Sequence, residues 1–153
     1  MTNNQHKISR FSLANEYTNM NKISKKQVCV FWFRRDLRLH DNAGLYYALR
    51  ENNCVLPIFI YDTEILEKLE NKADKRVEFI NTTLFYLQNK LKKSDSSILT
   101  IKGKPIEVFR NLISEYTITN VYTNSDYEPS AIKRDKEVEE FLSLQYFLKV
   151  SLK

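Results

Sequence analysis

The chain has 153 residues, of which 42% are hydrophobic and 28% charged, a length and composition typical of one globular domain. Its two glycines are too few for the glycine-rich loops that cradle phosphates. No apolar run reaches the roughly 18 residues that span a bilayer, and the N-terminus lacks the apolar core of a signal peptide, so we expect an intracellular protein, cytoplasmic or nuclear.

Residues 1–26 differ in composition from the rest of the chain. They are rich in Asn, Ser, Thr and Lys and show no sustained hydrophobic period, which predicts a flexible basic leader. Organelle targeting by this leader is the alternative, although Glu16 and the many Asn residues fit a transit peptide poorly. The formal net charge of +5 comes from the first 40 residues, so the predicted domain, residues 27–153, is close to neutral.

Five apolar segments predict strands. The continuous runs at 28–33 and 54–61 are typical of strands buried on both faces. Pro57 cannot donate a ladder hydrogen bond, so we expect a bulge or a locally unpaired edge there. Shorter runs at 97–101, 119–123 and 146–152 predict the other three strands.

Helical periodicity separates these strands. It predicts helices over 43–51 and 74–93, the second capped by Asp74, and over 129–144. A further helix is predicted to begin at Pro105. In the last helix we expect four residues to face inward: Ile132, Val138, Phe141 and Leu142.

Strict alternation of strands and helices predicts an α/β fold with a parallel sheet covered on both faces. Ligands of such sheets bind beyond the carboxyl ends of the strands, where the strand order reverses. The residues that follow the predicted strands are 34–36, Asp62, 102–103 and 124–126. Gly44 opens the first helix and Gly103 lies in a turn, so both are predicted to serve backbone geometry.

The segment W-F-R-R-D-L-R-L-H-D-N, residues 32–42, has the highest density of charged groups after a strand. Its arginines can hold a carboxylate or a phosphate in bidentate fashion. The alternative is an internal cluster in which Asp36 pairs with Arg34 or Arg35.

The segment D-Y-E-P, residues 126–129, places two carboxylates after the fourth strand. It is either a helix-entry motif or an acid pair, and an acid pair needs a metal or a partner base. Cys29 and Cys54 lie in apolar runs and are predicted to be reduced core residues. The two histidines lack zinc-ligand spacing, so no metal site is predicted.

Four ordered motifs resemble the DNA photolyase and cryptochrome family. They are W-F-R-R-D-L-R-L-H-D-N, V-L-P-I-F-I-Y-D, K-G-K-P-I-E-V-F and V-Y-T-N-S-D-Y-E-P, the last followed by residues 133–135. The resemblance covers residues 27–153. It implies the N-terminal α/β domain of that family, a Rossmann-like doubly wound sheet of five parallel strands in the order 3-2-1-4-5.

In the family this domain holds a light-harvesting antenna chromophore, which passes energy to a catalytic FAD in a separate C-terminal helical domain that repairs pyrimidine dimers in damaged DNA. That helical domain has no counterpart in these residues, so the chain alone is not expected to be catalytic, and no catalytic residue is assigned. The resemblance favours 8-hydroxy-5-deazaflavin or FMN/FAD over folate, because Ser130 and Ala131 replace the Asn-Glu pair of folate-binding members. Mapped position by position, the implied cofactor-binding residues are Arg34, Ile60, Tyr61, Asp62, Arg76, Asp126 and Glu128.

Two other hypotheses about function are consistent with the sequence. The chain can be a general nucleotide-binding or flavin-binding α/β module, or a ligand-free remnant that acts through protein contacts. Apolar surface left without the helical domain can drive self-association of the isolated domain. The sequence does not distinguish a photolyase from a cryptochrome, because the difference between these two classes of protein lies in the helical domain.

We predict that the chain binds DNA weakly and that added salt weakens this binding further, because its excess positive charge lies near the N-terminus. A variant that lacks residues 1–26 should lose the binding in fluorescence-anisotropy titrations of a labelled duplex. Strong binding that is specific for a lesion would contradict the prediction.

Overall fold

The computed structural model describes residues 25–69, 74–146 and 148–152, so nearly all of the predicted leader lies outside the described residues. The strands are β1 (Gln27–Phe33), β2 (Val55–Asp62), β3 (Leu99–Gly103), β4 (Thr117–Thr123) and β5 (Lys149–Leu152). The helices are α1 (Ala43–Glu51), α2 (Thr63–Leu66), α3 (Lys75–Lys92), α4 (Pro105–Glu115) and α5 (Pro129–Tyr146).

The five strands form one parallel sheet in the order β3-β2-β1-β4-β5. The predicted fold class and strand order are therefore confirmed. The chain runs outward from β1 to β2 and β3, then returns to place β4 on the other side of β1. The strand order thus reverses between β1 and β4, and a crevice is expected beyond their carboxyl ends.

Alternate residues of β1 supply two hydrophobic cores, one on each face of the sheet. Trp32 belongs to the core that α4 and α5 complete, and its ring lies 5.5 Å from that of Phe109 in an edge-to-face arrangement. Phe33 belongs to the core that α1 and α3 complete, where it joins Leu84. Helices therefore cover both faces, as the alternating pattern predicts.

The structure corrects the sequence interpretation of α5 and β5. The predicted inward position of Ile132 is wrong, because its side chain is 51% exposed. The buried face of α5 instead passes through Ala131, Asp135, Val138 and Leu142, at intervals of three or four residues. The helix also continues to Tyr146, so β5 begins later than the apolar run at 146–152 suggests.

Pro57 produces no bulge. It pairs in register with Phe31 of β1, and pairing of β2 with β3 begins one residue later, at Ile58. The prediction of a bulge is wrong, whereas the prediction of an unpaired edge holds on the β3 side. The register shift of the sheet lies between β1 and β4, at Val28 and Val30.

The predicted helix starts agree with the structure. Asp74 caps α3 by accepting a hydrogen bond from the backbone N–H of Arg76 at 2.8 Å, and Pro105 opens α4. Of the two cysteines predicted to lie in the core, Cys29 is buried and Cys54 is half-buried. Cys29 and Cys54 are both free cysteines, and burial raises the pKa of the Cys29 thiol to about 12. In the described ranges, no helix is long and apolar enough to cross a membrane.

Close packing is what requires glycine at position 44. Neither glycine has a positive φ, and Gly103 is the last residue of β3 and does not lie in a turn. A Cβ on Gly44 would lie 2.6 Å from Asn124 Oδ1 and 2.9 Å from a ring carbon of Phe31. On Gly103 it would lie 3.2 Å from a methyl group of Val108.

We predict that Gly44→Ala lowers the free energy of unfolding by about 1–3 kcal/mol, the usual effect of overpacking a filled site. Urea denaturation measures the change. Gly103→Ala is the matched comparison and should lower it by less, because its added Cβ would lie 3.2 Å from the nearest atom and not 2.6 Å. Equal losses in the two variants would contradict the role given to Gly44.

Candidate functional site

Asn124 lies directly after β4 and closes the crevice between β1 and β4. Its Oδ1 accepts a hydrogen bond from the backbone N–H of Gly44 at 2.7 Å, and its Nδ2 donates to Asn42 Oδ1 at 2.9 Å and to Asp36. Its backbone carbonyl accepts a hydrogen bond from the Arg34 side chain. One side chain thus joins the end of β4 to the loop after β1 and to the start of α1.

The loop after β1 is held by hydrogen bonds. Asp36 accepts from the backbone N–H of Arg34 at 3.4 Å and from Asn42 Nδ2 at 3.1 Å. Asn42 is buried and caps α1 by accepting from the N–H of Leu45 at 3.0 Å. The guanidinium groups of Arg34 and Arg35 pair with carboxylates on α5 and in the loop before it, so the cluster is internal as the alternative predicts, but Asp36 joins it through the Arg34 backbone and not through an arginine side chain.

Four charged side chains form a network beyond the carboxyl ends of β1 and β2, and all but Arg134 are buried. Arg34 makes a bidentate ion pair with Asp135 of α5, and the two side chains are only 7% and 9% exposed. Arg134 lies 3.5 Å from Asp135 and 3.8 Å from Asp62. Asp62 is itself buried and caps α2 through the N–H of Glu64 at 3.0 Å. Alternating charges therefore connect β1, α5 and β2.

The network packs against the indole of Trp32, the one tryptophan of the chain. The guanidinium carbons of Arg34 and Arg134 lie 5.6 Å and 5.4 Å from the centre of its ring, within the range of cation–π attraction. Trp32 is 4% exposed, so both guanidinium groups lie against a buried ring.

Arg134 is the incompletely satisfied member of this network. Its Nε is buried and has no hydrogen-bond partner among the described residues, and its ion pairs are longer than an ordinary hydrogen bond. A buried donor without an acceptor costs roughly 1–3 kcal/mol. Such an atom beside strand ends is a candidate ligand contact.

A second ion-pair cluster lies beside the network and nearer to solvent. Arg35 is 63% exposed and pairs with Glu128 and, at 3.6 Å, with Asp126. The Asp126 side chain is 8% exposed and accepts from the backbone N–H of Glu128 at 3.1 Å, immediately before α5 begins. The D-Y-E-P segment is thus a helix entry, as one of the two interpretations predicts.

We call the surface formed by residues 34–36, 62 and 124–128, together with Arg134 and Asp135, the carboxyl edge. Among the described residues, no group of three His, Cys, Asp or Glu side chains is placed to hold a metal ion.

Tyr61 and Ile60 flank this edge without belonging to it. Tyr61 donates to Asn81 Oδ1 at 2.5 Å and lines a shallow groove of about 370 Å³ between α3 and β3, together with Phe85. Burial raises the pKa of the Tyr61 phenol. Ile60 points into the core shared with α4 and α5, and only 6% of it is exposed.

Arg76 makes its ion pair outside the carboxyl edge. It lies in the first turn of α3, is largely exposed and pairs with Asp74, whose pKa is lowered to about 2 by hydrogen bonds from the Arg76 side chain and backbone. The structure therefore gathers Arg34, Asp62 and the Asp126–Glu128 pair at the carboxyl edge.

The family resemblance implies seven cofactor-binding residues. Three candidates at the carboxyl edge are missing from that set: Asn124, Arg134 and Asp135. Asn124 was among the residues that follow strands, and the other two lie in the segment after the fourth motif. Their partners are remote in sequence: Arg34 and Asp135 are 101 positions apart. Local patterns carry no signal for such a pairing.

Comparison with known proteins gives one consistent result. Residues 29–149 match the family model described as DNA photolyase. A deoxyribodipyrimidine photo-lyase of Synechococcus is 34% identical over 71% of this chain and 22% of its own length. Cryptochrome-2 of Gallus gallus is 35% identical over 71% of this chain and 19% of its own length.

A solved structure agrees. The archaeal photolyase from Sulfolobus tokodaii, described with two FAD molecules, is 32% identical, with a TM-score of 0.71 over 82% of this chain and 28% of that chain. The chain thus spans about a fifth of the length of these two curated relatives.

The buried ion pair makes a prediction about stability. Asp135→Asn leaves the Arg34 guanidinium buried without its carboxylate and should lower the free energy of unfolding by about 3–5 kcal/mol in urea denaturation. The double variant Arg34→Met/Asp135→Leu should lose much less, because neither member of the pair is left as a buried charge.

Glu137→Gln is the control on the same helix. Its exposed carboxylate pairs with Lys133 at 4.0 Å, so the change should stay below about 0.5 kcal/mol. If Asp135→Asn were as mild as this control, the pair would not hold the carboxyl edge together.

Proposed function

The chain belongs to the DNA photolyase family, and from this premise we propose that its carboxyl edge binds a planar antenna chromophore that harvests light. The observation that carries the proposal is the convergence of Arg34, Asp62, Asp126 and Glu128 at one edge. Two of these carboxylates, Asp62 and Asp126, are buried. Buried charged groups gathered beside a strand-order reversal are a common mark of a ligand site.

The side chains of the edge suit a flavin or deazaflavin ring. Such a ring carries a pyrimidine-dione, which has an N–H donor and carbonyl acceptors. Asp62 and Asp126 can accept from N–H or O–H groups, and Arg134 can donate. The Sulfolobus photolyase is described as implying a novel light-harvesting cofactor, and it holds two FAD molecules, which supports a flavin in this chain.

Folate suits this chain less well. The two positions that folate-binding members fill with Asn and Glu hold Ser130, which donates to Glu128 at 3.2 Å, and Ala131, which is 4% exposed. We therefore propose 8-hydroxy-5-deazaflavin or FMN/FAD ahead of folate.

The whole-protein role follows from the family. We propose that this domain acts beside a C-terminal FAD-binding helical domain, which would receive the excitation energy and act on pyrimidine dimers in damaged DNA. The bound antenna supplies light absorption, and the residues of this chain bind and orient it. Self-association of the isolated domain stays a prediction, and its apolar candidates are the exposed rings of Phe79, Phe85 and Tyr86 on α3.

A ligand-free structural role is the second candidate, and one observation favours it. The guanidinium groups of Arg34, Arg35 and Arg76 are each paired with a carboxylate of the same chain. In that case the carboxyl edge only holds β1, β2, β4 and α5 together.

An optical titration separates these candidates. Titration of the chain with 8-hydroxy-5-deazaflavin, FMN or folate should quench the emission of Trp32 for the first two and not for folate. Asp62→Asn and Asp126→Asn keep the backbone hydrogen bonds that these side chains accept but remove the charge. Each should weaken binding by about tenfold, because a hydrogen bond to a charged group contributes roughly 1.5–3 kcal/mol.

Glu140→Gln, remote on α5 and exposed, is the matched control and should leave binding unchanged. Absence of quenching by every chromophore would favour the structural role.

A further inference from the structure

We infer that Arg134 is the residue that selects the ligand of the carboxyl edge, by donating a hydrogen bond to an uncharged ring carbonyl and not to a phosphate. The inference rests on the proposed function and adds to it the chemical group that is recognised. The pyrimidine-dione carbonyl is shared by flavins and deazaflavins, so the inference does not depend on which of them binds.

The first argument is the supply of donors. The guanidinium of Arg34 is committed to both oxygens of Asp135 and to the carbonyl of Asn124. Arg35 is committed to Glu128. Arg134 has a buried Nε without an acceptor and ion pairs of 3.5 Å and 3.8 Å. It can therefore turn toward a new acceptor without breaking a short hydrogen bond.

The second argument is the position of Arg134. Its guanidinium lies over the Trp32 ring, between Asp62 at the end of β2 and Asp135 of α5. These neighbours keep the group at the edge and let it rotate over the ring face. A planar ligand held at the end of β2, beside Asp62, would therefore lie next to this group.

The third argument is charge. The carboxyl edge has more carboxylates than guanidinium groups. The carboxylates are Asp36, Asp62, Asp126, Glu128 and Asp135, and the guanidinium groups are Arg34, Arg35 and Arg134. A phosphate brought to Arg134 would face this negative excess, including the two carboxylates that already contact it. A neutral carbonyl meets no such repulsion.

The experiment compares riboflavin, which has the ring without the phosphate, with FMN, which has both. The unsubstituted chain should bind the two with affinities within about threefold of each other, measured by Trp32 quenching. Arg134→Met should weaken both by the same factor, about tenfold, as expected for the loss of one charge-assisted hydrogen bond. Arg134→Lys keeps the charge between Asp62 and Asp135 but loses the planar fork, and should weaken both in parallel.

Lys133→Met removes an exposed cation from the adjacent position of α5 and should change neither affinity. Infrared difference spectra give a readout that a structural role would not move. The carbonyl stretch of bound riboflavin should rise in frequency in Arg134→Met and Arg134→Lys, because the donated hydrogen bond lowers it in the unsubstituted chain.

The outcomes are distinguishable. Selective loss of FMN binding would assign Arg134 to a phosphate and overturn the inference. Equal flavin binding by all variants, with an unshifted carbonyl band, would overturn it and leave the proposed function standing. If the unsubstituted chain bound none of riboflavin, FMN and 8-hydroxy-5-deazaflavin, the inference about Arg134 and the proposed function would both fail. Should Arg134→Met not fold, Arg134→Lys decides by the same comparison.

Discussion

The hydrogen bonds of Asn124 close the point where the strand order reverses, and the geometry of the carboxyl edge depends on them. In a doubly wound sheet the chain leaves β1 and β4 in opposite directions, which opens a crevice between them. Asn124 joins the two sides by contacts to Asp36, Asn42 and the backbone of Gly44. The close approach to Gly44 leaves no room for a Cβ. Gly44 and Asn124, 80 positions apart in the sequence, are therefore in direct contact.

The contacts of Asn124 also position the charged side chains of the carboxyl edge. The Asn124 carbonyl accepts from Arg34, which directs its guanidinium toward Asp135 and the ring of Trp32. Mutual attraction of buried charges about offsets the cost of removing them from water, so such a network adds little net stability. Its main effect is positional: it holds carboxylates at strand ends and leaves Arg134 short of an acceptor. In the proposed site, ligand recognition would depend on rotation of the Arg134 side chain relative to these carboxylates.

Most of the fold was predictable, because its signals are local. Continuous apolar runs mark β1 and β2, since strands buried on both faces leave no polar alternation. Capping by Asp74 and the opening proline of α4 are also local chemistry. The errors occur where packing decides. The apolar run at Tyr146 looks like a strand, but the helix continues there. Ala131 is buried in place of Ile132 because it lies on the face of α5 that also carries Asp135, Val138 and Leu142.

The sequence by itself determined the α/β class, the family and the strand ends at which functional groups should lie, because periodicity and motifs are properties of neighbouring residues. Only the tertiary structure decided which groups meet. It paired the Arg34 guanidinium with Asp135 and not with the nearby Asp36, and it paired Arg76 with Asp74. The physical reason is that side chains of opposite charge are common along the chain, whereas the ones that pair are those that burial brings together. The packing of α5 against the ends of β1 and β4 determines which charged side chains are buried together, and no local sequence pattern encodes that packing.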